Sequence, residues 1–177
     1  MINKLAVLFI LLLMVLVSAP VFADSWIEPE ISEQYSKNNK FRLDIVPAKE
    51  NKPCSATLFI KNKISKFSQI WSIELKNPVC PSECHISDDG IFVVTLDDWG
   101  RMGNTENCIV VYGNKGELIC RYALEDVLTE AELKEVPLTV SSRMWNNKDP
   151  EFDLKNNRLT LHSVKKIIID LNTGKLM

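Results

Sequence analysis

"ISDDGIFVVTLDDWGRMGNTENCIVVYGNKGEL", Ile86 to Leu118, holds two tight-turn signals and two apolar runs around a long polar interruption. Asp89-Gly90 precedes the run from Ile91 to Leu96, and Asn114-Lys115-Gly116 follows the run from Ile109 to Tyr112. Short runs rich in β-branched residues and bounded by Gly and Asn read as strands. An N-x-G loop with glycine at the left-handed position is hairpin chemistry. Between the two strands stand eleven residues, Asp97 to Asn107, with Asp97, Asp98, Trp99 and Arg101 crowded at their start. Loops this long in a compact unit are mostly functional or disordered. This loop is therefore the first place to look for a site.

Working outward, the same grammar recurs. Asn172-Thr173-Gly174 follows Ile167-Ile168-Ile169, at an offset of 58 residues from Asn114-Lys115-Gly116 and Ile109-Val110-Val111. Upstream, "SDDGIFVV" superposes on "LKNNRLTL" at an offset of 67, so the earlier linker is nine residues longer, and that excess is the Asp97–Asn107 loop. A degenerate third unit comes first. Phe41 to Val46 alternates apolar and polar residues until Pro47 ends it, and Ala56 to Ile60 and Ile70 to Leu75 follow, the last with Trp71, Ile73 and Leu75 on one face. Asp24 to Lys40 reads as an irregular strap anchored by Trp26 and Tyr35. One helix is expected near 126–135, where Thr129 and Glu132 have capping-box spacing and Pro137 limits the far end.

Four-stranded meanders repeated at this length are the signature of β-propeller blades. The stretches "ISDDGIFVVTLDDW", "IVVYGNKGEL" and "SSRMW" resemble secreted propeller-like repeat proteins, and in particular a group of uncharacterised exported bacterial proteins. The resemblance implies a fold and hardly a function. A closed ring needs about four blades or more, and this chain holds three at most. The expectation is thus an all-β fold of about three propeller-blade-like antiparallel meanders in an open or incomplete ring, as a single domain from residue 24 to 177.

Lys4, the apolar run Leu5 to Val17 and the small-residue end Val21-Phe22-Ala23 read as a secretory signal peptide over residues 1–23, cleaved before Asp24. The expected location is periplasmic or extracellular. Beyond that segment no stretch could span a membrane, and no basic stripe points to nucleic acid. Removing Lys4 with the signal takes the formal charge from −2 to −3.

Five cysteines, Cys54, Cys80, Cys84, Cys108 and Cys120, follow the signal, and an exported chain uses them first as disulfides. Taking the turn at Asn114 as a three-residue loop pairs Val110 with Cys120, which puts Cys108 and Cys120 on a diagonal of about 7–8 Å, strained for a bridge unless the register slips. Cys80 and Cys84 flank a Pro-containing loop and are expected to form the local disulfide. Cys54, next to a proline turn, is the expected exposed thiol.

For a site, Asp97, Asp98, Trp99 and Arg101 are expected to face Arg143 and Trp145 across one end of the sheets. Aromatic rings and guanidinium forks are recognition chemistry. The plainer alternative has an aspartate pairing with Arg143 while Trp99 and Trp145 roof the core. Asp88, Asp89, Asp97, Asp98, Asn104 and Glu106 offer oxygens but lack calcium-loop spacing. Cys80-x-x-x-Cys84-His85 has no second half for zinc. No metal or cofactor is expected. No hydrolase motif is present. The expected function is an exported, non-catalytic module that binds a protein or envelope component. The alternatives are a hydrolase with an acidic site at Asp97/Asp98, or a structural subunit whose open edges pair with a partner chain or a second copy.

Overall fold

The structure, a computed structural model, describes residues 27–177; the signal segment read over residues 1–23, and Trp26, lie outside them. Among the described residues, eleven strands form three antiparallel sheets of four, four and three strands, each in chain order. The first sheet is β1 (Ser32–Tyr35), β2 (Phe41–Val46), β3 (Ser55–Lys61) and β4 (Phe67–Glu74). The second is β5 (Pro81–Ile86), β6 (Val93–Asp98), β7 (Ile109–Tyr112) and β8 (Leu118–Tyr122). Two short helices, α1 (Leu124–Val127) and α2 (Glu130–Glu135), lead to the third sheet of β9 (Glu151–Asp153), β10 (Arg158–His162) and β11 (Lys166–Asp170). The turn Asn172-Thr173-Gly174 returns the chain for one further bridge, Ile169 to Leu176. No closed ring forms among the described residues.

The two inner strands of the middle sheet are buried on both faces, and this explains their composition. Every residue of β6 and β7 is buried. One face packs Val93, Val110 and Tyr112 against Leu43, Ile45, Leu58 and Trp71 of the first sheet. The other packs Val94, Leu96, Ile109 and Val111 against Leu159, Leu161, Ile167 and Ile169 of the third. A strand covered twice reads as a continuous apolar run, whereas β2, covered once, alternates.

Four expectations are corrected. The strap from Asp24 to Lys40 contributes β1, whose "SEQY" lacks the alternation that would reveal it. The single helix is two, broken at Leu128-Thr129; Thr129 caps α2 with the expected reciprocal bonds to Glu132. A β-bulge between Val111 and Tyr112 moves the β7–β8 register by one, so Val111, and not Val110, faces Cys120. The cysteines differ most. Pro81 opens strand β5 instead of rigidifying a loop, and at about 3.3 Å per residue an extended chain holds Cys80 and Cys84 roughly 13 Å apart, beyond disulfide reach. Cys54 is fully buried with them between the first two sheets, and none of the five cysteines is bonded.

Candidate functional site

The long connections gather at one end of the sheets, and the two segments singled out by sequence meet there. Asp97, the next-to-last residue of β6, has a left-handed conformation, φ 56°, and its side chain is buried. One carboxylate oxygen accepts the backbone N–H of Gly103 at 2.7 Å and the other accepts the Trp145 indole N–H at 2.8 Å. Trp145 is 1% exposed and lies in the core between the second and third sheets. Asp97 therefore clamps the loop's return turn and the 141–145 segment to one strand end. Burial pushes its carboxyl up to about 6, against the pull of the Gly103 and Trp145 donors.

Asp98 performs a parallel task on the other side of the sheet. Its carboxylate accepts the side-chain amides of Asn77 at 2.8 Å and Asn107 at 2.9 Å. Asn77 also donates to the Asp97 carbonyl and accepts the Thr95 hydroxyl. This buried network ties the crossover from the first sheet to both ends of the loop. With their oxygens turned inward and hydrogen-bonded, neither carboxylate is presented to a substrate in solvent, as an acid–base pair would have to be.

The remaining sequence candidates lie nearer the surface. Trp99 is half-buried against the first core, and its indole donates to the Ile27 carbonyl at 3.1 Å. Arg101 is exposed at the loop tip. Arg143 is partly buried: its backbone N–H reaches the Met102 carbonyl at 2.9 Å, and its guanidinium donates to Asn104 at 3.2 Å and to the Leu133 carbonyl at 3.4 Å. Neither aspartate pairs with Arg143, so the plainer alternative holds for the burial of Trp145 and not for the ion pair.

Three side chains that the sequence reading missed stand beside Arg143. Pro137 to Met144 is a small hairpin, closed by Met144 N–H to Pro137 O at 2.9 Å and Thr139 N–H to Ser142 O at 2.8 Å. Leu138 is 66% exposed, Met144 47%, and Val140 at the tip is fully exposed. The signal was present as "PLTVSSRM", a Leu-x-Val pair with no strand-length run around it. Against the hairpin lies a shallow cleft of about 370 Å³ lined by Glu130, Leu133, Lys134, Leu138 and Arg143.

No group of three or more His, Cys, Asp or Glu among the described residues is placed to hold a metal ion. Nor is any described helix long and apolar enough to cross a membrane. No protein-family model matches the chain, and a comparison with curated proteins finds no match.

Proposed function

We propose that the protein is an exported, non-catalytic binding module of three propeller-blade-like sheets. It recognises a protein partner through the platform formed by the 97–107 loop and the 137–144 hairpin with Trp145 beneath it. The observation that carries this reading is the hairpin, where Leu138, Val140 and Met144 are all exposed and Leu138 pairs with Arg143. Apolar side chains grouped on a surface and rimmed by polar groups mark interaction sites. The tip is also held in place before any partner arrives, because Asp97 bonds Trp145, Met102 bonds Arg143, and Asn104 bonds the Ser141 carbonyl at 3.3 Å. Such pre-organisation lowers the entropic cost of association.

The test is capture from the native envelope fraction with wild-type protein and with a Val140→Asp/Arg143→Ala variant. Circular dichroism checks that both carry the same β fold. A partner held by wild type and lost from the variant supports the platform. Equal capture by both moves the binding surface elsewhere. Turnover of an envelope substrate that Asp97→Asn or Asp98→Asn abolishes without loss of the β fold would return the hydrolase reading.

A further inference from the structure

The opposite end of the first sheet carries a charge pattern that no single stretch of sequence displays. The β1–β2 turn holds Lys37 and Lys40, Lys61 ends β3, and the β3–β4 turn holds Lys63 and Lys66. The pairing of Phe41 with Ile60 brings the two turns side by side, and the Lys61 N–H reaches the Lys40 carbonyl at 2.8 Å. All five lysines are exposed, and none is ion-paired among the described residues. No Asp or Glu occurs from Gln34 to Phe41 or from Ala56 to Ile73. Two carboxylates border the patch: Asp88 accepts the Asn38 N–H at 2.8 Å and keeps its charge, and Glu33 pairs with Arg42, so the five lysines remain in excess.

An aliphatic side chain stands among these cations. Ile64 is 72% exposed at the tip of the β3–β4 turn, with Ile60 behind it at 41%. The turn is stiff, because the Asn62 side-chain oxygen accepts the N–H groups of Ile64 and Lys66 and its backbone N–H reaches the Lys66 carbonyl at 2.7 Å. Ile64 is thus held outward by its own loop.

We infer that this end of the molecule docks on an anionic phospholipid surface, with the five lysines over the headgroups and Ile64 entering the boundary with the acyl chains. Lysines alone would suit any polyanion. The isoleucine decides between them, since an aliphatic tip gains nothing on a solvated polyanion but is stabilised at the bilayer interface. Each lysine near an anionic leaflet strengthens attachment by about fivefold. The platform proposed above lies at the other end of the sheets, so a surface-bound molecule would still present it to solvent.

The experiment is co-sedimentation of the chain expressed from Asp24, which retains every described residue and leaves out the apolar run Leu5 to Val17. Its targets are vesicles of phosphatidylcholine alone or mixed with phosphatidylglycerol. Wild type is expected to bind the mixed vesicles, to ignore the neutral ones and to be released by salt. Lys37→Gln/Lys63→Gln/Lys66→Gln is expected to weaken binding on the order of a hundredfold. Ile64→Ser is expected to weaken vesicle binding several-fold while leaving heparin binding unchanged. All four positions are exposed turn residues, and circular dichroism confirms the fold of each variant. The inference is overturned if wild type ignores phosphatidylglycerol at low salt, or if the triple variant binds as well as wild type. Loss of heparin and vesicle binding in parallel, with no effect of Ile64→Ser, would assign the patch to a soluble polyanion instead.

Discussion

Asp97 shows how a residue that reads as chemistry in sequence becomes architecture in the fold. Its carboxylate is buried, yet it is matched by two N–H donors and no cation. Asp97→Asn keeps the size but turns an NH₂ toward one of those donors, leaving buried groups unpaired. The expected cost is about 1–3 kcal/mol of stability, read from urea unfolding at neutral pH. The pH dependence has a definite sign. The folded carboxyl titrates near 6, above its usual 3.8, so the folded state holds the proton more tightly than the unfolded chain. The proton-linked part of Asp97's contribution is therefore fully present below about 3.8 and is lost as pH rises through about 6, while the cost of unpairing its two donors remains at neutral pH. Measured across that window, the stability of wild type relative to Asp97→Asn should decline with rising pH. A difference that grows instead would mean that the two donors outweigh burial.

At the scale of elements, the glycine in "RMGNTEN" governs how loop and hairpin meet. Gly103 has φ 67°, and a Cβ there would lie 2.6 Å from the Arg143 Cβ and 2.9 Å from the Arg143 carbonyl. Gly103→Ala adds a strained conformation to a clash with backbone. It should lower stability by more than about 1 kcal/mol and speed hydrogen exchange at the Arg143 amide, which bonds Met102 across the same junction. Val140→Asp, fully exposed at the tip, should stay within about 0.5 kcal/mol of wild type. Unfolding midpoints of the two variants test the contrast. Excising the whole Asp97–Asn107 loop would remove Asp97, Asp98 and Asn107 together, and is expected to destabilise the fold as well as any binding. The strands on apolar runs and beside N-x-G turns were legible because those signals are local, whereas β1, β5 and β9, which carry neither, were not. The β7–β8 bulge was not legible, because an inserted residue leaves no compositional trace. Likewise Asn77 and Asn107 drew no notice as uncharged residues, although their amides hold Asp98.

Across the whole molecule, the sequence conveyed that strands come in meander groups but not how the groups cover one another. The middle sheet's double burial puts Cys54, Cys80 and Cys84 in one core and Cys108 in the other, facts fixed by packing between distant segments. The same packing governs their reactivity. Burial pushes the thiols of Cys54, Cys108 and Cys120 up to about 12 and Cys84 well above its usual value, so the reactive thiolate is scarce at neutral pH. Access then separates them, because Cys120, on the outer strand β8, is partly exposed and the other four are buried. A thiol reagent added to the native protein should label Cys120 first. Cys54, Cys84 and Cys108 should follow only at the rate of global opening, since each lies where two sheets must part before reagent can enter. Peptide mapping after timed labelling distinguishes the sites, and denaturant should bring the slow ones to the rate of Cys120. Early labelling of Cys54 would show that the first and second sheets separate independently of the rest. The three sheets would then behave as two cooperative units, with the shared middle sheet remaining with the third.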